Sequence, residues 1–570
     1  MSAQALFFLS IIHVIRMLAL NFVPSCFFGR SGQNSTCGAS RKPLQWKLRT
    51  PLQLGKQGFV RLQRRTAQSG QPARGRSAFQ ISCTHGRPGG SSDAREAFDE
   101  NDADFILSPE IYQSLSISDI DSGRYLKSIP RLQDFLPASQ IPRVCNPATS
   151  KVSFRGLDNY DTSPNDVVLK QTVINPDKRR NFARYLRAGP RSWIAFRPEE
   201  VRAAIVTCGG LCPGINTVIR ELTDGLWHLY DVRSIVGIRG GYRGFYNGTP
   251  YLELSPRTVD GIHRLGGTIL GSSRGGFDLE QILGAIRRHG LNQLYIIGGD
   301  GTIRGAAAIA EACMRERHRV SVASIPKTID NDIPVIDHSF GFMTAVEEAQ
   351  RALNAAHVEA TCFPNGIGIV RLMGRNSGFI AMYASLANRD VDCCLIPELP
   401  FEIEGPNGLA AFVEKRLQEN GHFLLVVAEG AGQDLLAAST EIDASGNRKF
   451  NDIGLYLKER LQAYFNRENI EVSMKYIDPT YMVRAVPATA SDQMYCAVLA
   501  HSAIHGAMAG FTSFTVGPVN GRHAMIPLQD VAGQQQRVDI RDRTWSRLLS
   551  STGQPSSFLN QPAAALHQTA

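Results

Sequence analysis

The first 92 residues of this 570-residue chain contain no Asp or Glu. Thirteen of the 61 Lys and Arg lie there, which leaves 48 basic against 52 acidic residues in 93–570, a net charge of −4. The overall charge of +9 therefore belongs to one segment. Since the rest of the chain has no general attraction for a polyphosphate backbone, we expect no nucleic-acid partner.

Several common signatures are also missing. The 11 cysteines include no CxxC pair and no dense cluster, which argues against a disulfide scaffold and a zinc ribbon. Neither a GxxxxGK[ST] P-loop nor a GxGxxG dinucleotide fingerprint occurs. With 43% hydrophobic and 20% charged residues, the composition excludes a mostly disordered chain and a multi-span membrane protein, and the length predicts at least two core-bearing units.

Residues 1–83 have the composition of an organelle transit peptide, rich in Arg and Ser and free of acids. The apolar run Ala5–Phe28 raises a membrane anchor as the alternative, but Arg16 interrupts it and no basic residue precedes it. Ile81-Ser82-Cys83 resembles a chloroplast cleavage pattern. We expect the plastid stroma, with the cytoplasm as the alternative, and no stable membrane association.

The remaining chain divides into three parts. Residues 84–197 contain a Gly- and Ser-rich linker followed by a partly irregular extension that packs on the main body. Residues 198–535 hold the patterned, catalytic part, and the Gln- and Ser-rich tail 536–570 is expected to be poorly ordered.

Short buried-strand patterns alternate with amphipathic helices from Val201 onward, which predicts a doubly wound α/β fold with parallel-rich sheets. The predicted strands are Ala203–Cys208, Ser234–Ile238, Leu294–Ile297, Val322–Ile325, Ile367–Leu372, Cys394–Ile396 and Leu424–Ala428. In such folds ligands bind at the carboxyl ends of strands, so the residues that follow each strand are the candidate site residues.

Glycine-rich turns follow two of these strands. Gly209–Gly214 (GGLCPG) precedes a helix and suits anion binding by bare backbone N–H groups, with a tight structural turn as the alternative. Gly298-Gly299-Asp300-Gly301-Thr302 places a carboxylate where it can approach phosphate-bound Mg²⁺. A helix cap is the alternative role for Asp300.

Charged side chains follow the other strands. Pro326–Asp332 (PKTIDND) offers a general base beside a metal–phosphate site, with a solvated turn as the alternative. Met373-Gly374-Arg375, Glu429-Gly430 and Asp478–Arg484 (DPTYMVR) add arginines and a further carboxylate. Together these groups furnish a phosphoryl-transfer site, which works by positioning and charge stabilisation.

The segments GGLCPGINTVIR, GGDGT, PKTIDND, MGR and AEG, in this order, resemble the 6-phosphofructokinases over about Val201–Asp530. The long extension and Tyr481 resemble the plant ATP-dependent branch. The resemblance implies two Rossmann-like lobes and phosphorylation of fructose 6-phosphate by ATP, the committed step of glycolysis, with Mg²⁺ as cofactor. It also implies an allosteric homo-oligomer, a tetramer.

The resemblance also implies roles for individual residues. The implied catalytic residues are Asp330, as general base for the 1-hydroxyl, with Thr328 and Arg375. The implied ATP contacts are Gly210, Arg274, Gly275, Gly299, Asp300, Gly301 and Thr302, with Asp300 as the Mg²⁺ ligand. The implied fructose 6-phosphate contacts are Thr328, Ile329, Asp330, Met373, Gly374, Arg375, Glu429, Tyr481, Met482, Val483 and Arg484.

Two residues give opposite indications about the phosphoryl donor. Lys327 resembles the pyrophosphate-dependent members, whereas Gly301 resembles the ATP-dependent ones, in which it leaves room for the nucleotide. A lysine side chain is flexible and can move away from the nucleotide. We therefore give the open space at Gly301 more weight than the charge of Lys327 and predict ATP as the donor. A pyrophosphate-dependent enzyme and a non-catalytic regulatory subunit remain the alternatives.

Cys208 and Cys212 bracket the first glycine loop at a helix start, where the thiol pKa is lowered. We therefore predict redox sensitivity there; two buried packing thiols are the alternative.

Overall fold

The computed structural model describes residues 126–152, 161–171, 183–437 and 450–560. The predicted transit peptide and the linker that follows it lie outside these ranges. Helices in the described part are α1 Pro147–Val152, α2 Ile215–Tyr230, α3 Leu279–His289, α4 Asp300–Arg315, α5 Phe342–Thr361, α6 Phe379–Ala387, α7 Leu409–Asn420, α8 Ile453–Arg467, α9 Ala490–Met508, α10 Leu528–Val531 and α11 Arg543–Thr552. None of them is long and apolar enough to span a bilayer.

Strands in the same ranges form one large, one small and one minimal sheet. They are β1 Val144–Cys145, β2 Val167–Leu169, β3 Arg184–Arg187, β4 Trp193–Ile194, β5 Arg202–Thr207, β6 Ser234–Ile238, β7 Leu252–Glu253, β8 Gln293–Gly298, β9 Ser321–Pro326, β10 Gly366–Leu372, β11 Cys393–Leu395, β12 His422–Ala428, β13 Ser473–Ile477, β14 Phe514–Val519 and β15 Arg522–Pro527. The large sheet has the order β2-β3-β15-β14-β9-β8-β5-β6-β7, and the small one β11-β12-β10-β13. β1 and β4 pair alone.

We name the two layered units the first lobe, around the nine-stranded sheet, and the second lobe, around the four-stranded sheet. Strands β14, β9, β8, β5 and β6 run parallel, and antiparallel strands flank them. All four strands of the second lobe are parallel. The predicted α/β fold with parallel-rich sheets is confirmed.

Alternating burial in β5 shows why the first sheet is covered on both faces. Ala203 and Ile205 pack into one hydrophobic core with α2 and α9, and Ala204 and Val206 pack into another with α3 and α4. Successive side chains in a strand point to opposite faces, so a strand that is apolar throughout needs a helical layer on each side. The second lobe is built in the same way.

The extension contributes strands as well as packing. β3 pairs with β15 and β2 pairs with β3, so both extend the first sheet at its antiparallel edge. Leu132 and Phe196 lie in the core of that lobe.

Part of the C-terminal tail is ordered, contrary to the prediction from its composition. The expectation of poor order is wrong for 543–552, which form α11. Trp545 and Leu548 on this helix are buried in the core of the second lobe, and Phe558 packs in its other core. Apolar residues spaced three apart fix the helix through tertiary burial, although the local composition is polar.

Candidate active site

A cleft of about 620 Å³ lies where the carboxyl ends of strands from both lobes meet, and we call it the interlobe cleft. The ends of β5, β8 and β9 supply its walls from the first lobe, and those of β10, β12 and β13 from the second. Most of the predicted site residues line it, namely Gly210, Arg274, Gly275, Gly299, Asp300, Gly301, Thr302, Thr328, Ile329, Asp330, Met373, Arg375, Glu429 and Arg484. Six separate strand ends thus converge with one further loop, as expected for ligand binding at the carboxyl ends of strands.

Four predicted substrate contacts are not among the residues lining this cleft: Gly374, Tyr481, Met482 and Val483. Tyr481 is 73% exposed, and Met482 is also exposed. Val483 is buried and packs in the core of the second lobe. Of the predicted contacts Tyr481–Arg484, Arg484 reaches the cleft, and its guanidinium stacks on the Tyr481 ring at 4.9 Å. The tyrosine therefore supports an arginine that lines the cleft.

Asp330 is a half-buried residue that lines the cleft, and its Oδ1 is buried. Its backbone N–H donates to Thr328 Oγ1 at 3.2 Å, and its carbonyl accepts from Ser377 Oγ at 3.0 Å. Its Oδ1 has no hydrogen-bond partner among the described residues. Burial, with the nearby Asp332 and Glu429 carboxylates, raises the pKa of Asp330 to about 8. The backbone is thus fixed, and the residue lines the cleft in which a substrate hydroxyl would lie.

Thr328 and Asp332 form a pair beside it. The Thr328 hydroxyl donates to Asp332 Oδ1 at 3.0 Å. Burial also raises the pKa of Asp332. Asn331, between the two carboxylates, has φ 57° and accepts the Ser339 N–H at 2.9 Å. The left-handed backbone of Asn331 sets the directions of the two neighbouring side chains. This ordered arrangement argues against the alternative of a solvated turn.

Lys327 lies beneath the glycine loop. It is buried, and its Nζ donates to the Gly210 carbonyl at 2.8 Å. Burial lowers the pKa of Lys327. The expectation that this lysine swings freely on its stem is wrong, because the amine is enclosed and tethered to the loop.

Two guanidinium groups flank the loop that Lys327 anchors. A Cβ added to Gly210 would lie 3.7 Å from Arg274 Nη2 and 4.0 Å from Arg484 Nη1. Glycine thus keeps open a space between two cations next to the start of α2. A helix N-terminus and two cations together favour a phosphate group at this point.

Asp300 is the first residue of α4, and the N-cap is Gly299 with no side-chain cap. The capping alternative for Asp300 is therefore wrong. Its Oδ1 accepts the Gly533 N–H at 2.7 Å, and its Oδ2 lies 3.2 Å from Arg304 Nη2. The Gln536 N–H donates to the Asp332 carbonyl at 2.7 Å, so residues 533–536 cross this edge of the cleft.

The sequence analysis gave no individual role to several residues that line the cleft, chiefly Tyr242, Phe277, Arg304, Asn376, Thr480 and Gln535. Tyr242 and Phe277 pack edge to face with ring centroids 5.2 Å apart, and the Tyr242 hydroxyl donates to the Thr302 carbonyl at 2.8 Å. Phe277 belongs to the run GSSRGGFD that contains Arg274, so its place in the cleft could have been inferred from the sequence. Gln535 had no such signal, since it lies over 200 residues from Asp300 along the chain.

The environment of the two loop cysteines argues against the predicted redox sensitivity. Cys208 and Cys212 are buried, and burial raises the pKa of each thiol to about 12. Desolvation therefore outweighs the helix terminus and the cation Lys327, both of which favour a thiolate. The alternative, two packing thiols, describes both residues.

Comparison with known proteins gives consistent results. Residues 202–507 match the family described as Phosphofructokinase. The chain is 54% identical over 446 residues to ATP-dependent 6-phosphofructokinase 1 of Arabidopsis thaliana, covering 77% of this chain and 93% of the relative. It is 54% identical over 448 residues to ATP-dependent 6-phosphofructokinase 4, chloroplastic, of the same plant, covering 78% and 84%.

A solved structure supports the fold. The crystal structure of pyrophosphate-dependent phosphofructokinase from Marinobacter aquaeolei aligns with a TM-score of 0.52 at 19% identity, over 64% of this chain and 94% of that one. At this identity the likeness concerns the fold alone. The sequence matches, which span most of both chains, carry the assignment: this chain belongs to the phosphofructokinase family.

Proposed function

We propose that this chain is an ATP-dependent 6-phosphofructokinase that converts D-fructose 6-phosphate to fructose 1,6-bisphosphate. The observation that carries the proposal is Asp330, which lines the interlobe cleft beside Thr328 and Asp332 and whose pKa is raised to about 8. A carboxyl group with these properties is suited to accept a proton from a sugar hydroxyl near neutral pH. The family and the names of the relatives support the same reaction.

In the proposed reaction Asp330 takes the proton of the 1-hydroxyl group. The sugar oxygen forms a bond to the γ-phosphorus of ATP, the bond from that phosphorus to the β–γ bridging oxygen breaks, and ADP leaves with the electron pair. Arg274, next to Gly210, binds and neutralises phosphate oxygens of ATP. Positioned cations of this kind supply much of the catalysis in phosphoryl transfer.

Thr328 positions the base. Its hydroxyl receives the Asp330 N–H and donates to Asp332. It thereby links the backbone of Asp330 to the carboxylate of Asp332. Asp332 in turn contributes to the raised pKa of Asp330.

Asp300 is suited to Mg²⁺, because a hard cation needs oxygen ligands and commonly uses one or two carboxylates with substrate phosphates and water. Its present partner Arg304 is largely exposed and can withdraw. When bound, Mg²⁺ would neutralise charge on the phosphate oxygens.

The sugar side of the cleft is formed by Met373, Arg375, Glu429 and Arg484. Burial raises the pKa of Glu429, while Arg371 and Arg375 oppose that rise. The Arg375 guanidinium lies over the Phe450 ring at 4.4 Å. Glu429 would accept sugar hydroxyls, and the arginines would bind the 6-phosphate, because guanidinium groups match phosphate geometry.

Space at Gly301 supports ATP over pyrophosphate as the donor. A Cβ added there would meet only Arg304 Nη2, at 3.9 Å, so the open side of this glycine faces the cleft. Lys327 does not oppose the choice, because its amine is held by the Gly210 carbonyl. A pyrophosphate-dependent enzyme is the alternative, and the intact Asp300, Thr328, Asp330 and Arg375 argue against a non-catalytic subunit.

Two further properties belong to the proposal. The acid-free, Arg- and Ser-rich segment 1–83 supports plastid import, and one of the relatives above is named chloroplastic while the other is not. We also propose a homotetramer, on the family resemblance alone. Full-length protein fused to a fluorescent marker at its C-terminus should enter plastids, and the same fusion lacking 1–83 should stay in the cytoplasm.

The reaction is tested by ³¹P NMR of the product and by a Mg²⁺ titration. Wild-type protein should convert fructose 6-phosphate to fructose 1,6-bisphosphate with ATP. Asp300→Asn should raise the Mg²⁺ concentration needed for half-maximal rate by about tenfold or more, since it removes the charged oxygen ligand. Asp278→Asn is the matched control, because Asp278 only caps the exposed start of α3. An unchanged Mg²⁺ requirement in Asp300→Asn would remove this residue from the metal site.

A further inference from the structure

The segment that connects α10 to α11 runs from the first lobe to the second along an edge of the interlobe cleft. It leaves the core of the first lobe at Val531 and enters that of the second lobe at Val538, and both side chains are buried. Gln535, between them, lines the cleft. We call residues 533–538 the strap.

Backbone hydrogen bonds hold the strap between the two cores. Residues 533–535 and Arg537 are exposed, so their side chains add little to either core. Three backbone N–H groups instead donate to oxygen atoms at 2.7–2.8 Å, each on a residue that follows a different strand: Gly533 to Asp300 Oδ1, Gln536 to the Asp332 carbonyl and Val538 to Glu398 Oε1. A segment that merely connects two lobes needs no such set of contacts.

The first of these contacts acts on the proposed Mg²⁺ ligand. With Oδ1 of Asp300 bound by the Gly533 N–H, Oδ2 is the oxygen that faces Arg304 Nη2, at 3.2 Å. The strap therefore limits rotation of the carboxylate and sets which oxygen a metal ion would meet once Arg304 withdraws. Hydrogen bonds that orient a ligating group in this way are worth roughly 10–100-fold in metal affinity.

The backbone conformation of Gly533 explains the glycine at this position. Its φ is 75°, in the left-handed region that favours glycine. A Cβ there would meet no atom within 4 Å, so the direction of the chain and not a lack of space requires glycine. This conformation turns the chain that follows toward its next two contacts.

Glu398 holds the far end of the strap. Its Oε1 accepts the Val538 N–H at 2.8 Å and the Gly378 N–H at 3.0 Å. Gly378 is the N-cap of α6, and the hydroxyl of the preceding Ser377 donates to the Asp330 carbonyl. One carboxylate thus ties the strap to the loop that contacts the backbone of the proposed base.

We propose that the strap is a positioning element of the phosphoryl-donor site, in which the Gly533 N–H orients Asp300 and Glu398 fixes the far end. The inference rests on the proposed function, because it concerns the Mg²⁺ side of that site. Neither Gly533 nor Glu398 lines the cleft, so both act through Asp300 and not on the substrate directly.

Gly533→Pro tests the first contact, because proline has no N–H group and cannot adopt a φ of 75°. Calorimetric titration with ADP, once with Mg²⁺ and once with EDTA, measures nucleotide binding without turnover. The Kd for ADP with Mg²⁺ should rise by about tenfold or more in the variant. The Kd in EDTA and the KM for fructose 6-phosphate should stay close to the wild-type values, which a general distortion of the cleft would not allow.

Gly421→Pro is the matched control. Gly421 follows α7 outside the cleft, has φ 74° and donates its N–H to the Leu417 carbonyl at 2.8 Å, and a Cβ there would also meet no atom within 4 Å. This variant should lose stability in denaturant unfolding but bind ADP with Mg²⁺ as the wild type does.

A second pair of variants decides the question if a proline variant fails to fold. Glu398→Ala should also weaken binding of ADP with Mg²⁺, and Glu398→Gln should restore it, because the amide keeps an oxygen for the Val538 N–H. Asp392→Ala is the control, since Asp392 is another buried carboxylate that accepts a backbone N–H, from Leu424 at 2.9 Å, outside the cleft.

The proposal would be overturned by equal affinities for ADP with Mg²⁺ within either pair, Gly533→Pro with Gly421→Pro or Glu398→Ala with Asp392→Ala. A Kd for ADP that rises equally with Mg²⁺ and with EDTA in Gly533→Pro would overturn it as well. A wild-type protein that binds ADP with Mg²⁺ but does not phosphorylate fructose 6-phosphate would instead contradict the proposed function.

Discussion

Replacing Asp330 by Asn removes the proposed base while it keeps the size of the side chain. Loss of a positioned general base lowers kcat by roughly 10²–10⁴. Binding of ATP should change little, because the phosphate contacts at Gly210 and Arg274 are separate from this side chain. Steady-state kinetics with varied ATP and varied fructose 6-phosphate would separate kcat from the two KM values.

The raised pKa of Asp330 adds a pH signature. The base form is the ionised one, so activity should fall as pH decreases through the pKa of about 8. At pH 7 a carboxyl with that pKa would be ionised in about one molecule in ten, and kcat/KM should drop about tenfold for each further unit. In Asp330→Asn this fall in kcat/KM at low pH should vanish. Any pH dependence that remains in the variant belongs to ionisation of the substrate phosphate.

Asp332→Asn is the matched control for this prediction. The Asp332 carboxylate contributes to the raised pKa of Asp330. The variant should therefore stay active, and the pH at which its kcat/KM begins to fall should be lower than in the wild type. Two results would refute the reasoning: near-normal turnover in Asp330→Asn, or an Asp332→Asn variant that loses activity while Asp330→Asn keeps it. In the second case Asp332 would be the base.

Three further outcomes follow from the structure. Gly301→Asp should severely impair use of ATP, since it adds bulk and negative charge to the phosphate side of the cleft, whereas Gly301→Ala should fold normally and retain most activity; equal kcat/KM for ATP in both variants would contradict this. Trp545→Ala should destabilise the protein by about 3–5 kcal/mol in denaturant unfolding, because the ring is buried in the second lobe; an unchanged midpoint would mean that α11 is not part of the core. Cys208 and Cys212 should resist alkylation at pH 8 while the exposed Cys145 reacts, as peptide mapping would reveal, and labelling of either buried thiol in the native protein would contradict their raised pKa values.

The strands of the parallel cores were predictable because they are short, apolar and buried on both faces. Ser234–Ile238 has the predicted bounds, and the other predicted strands differ by one or two residues at one or both ends. Ser473–Ile477 was missed, since this edge strand is only partly buried and includes a lysine. Phe514–Val519 was also missed, because its Gly and Pro are typical of turns.

The site was predictable where residues that are adjacent in sequence follow a strand. Asp300 and Asp330 needed only that rule to reach the interlobe cleft. The hydrogen bond from Gly533 to Asp300 joins segments more than 200 residues apart, and no local pattern announces it. The burial of individual side chains could not be predicted from the sequence either. Lys327 is enclosed and bound to the Gly210 carbonyl. Burial also raises the pKa values of the Cys208 and Cys212 thiols.

Phosphorylation of fructose 6-phosphate with ATP and with pyrophosphate, measured side by side on the wild-type protein with Mg²⁺, decides the function. The open space at Gly301 and the tethered Lys327 predict turnover with ATP and none above background with pyrophosphate. Faster turnover with pyrophosphate than with ATP would contradict the proposed donor, and no turnover with either would contradict the catalytic assignment itself.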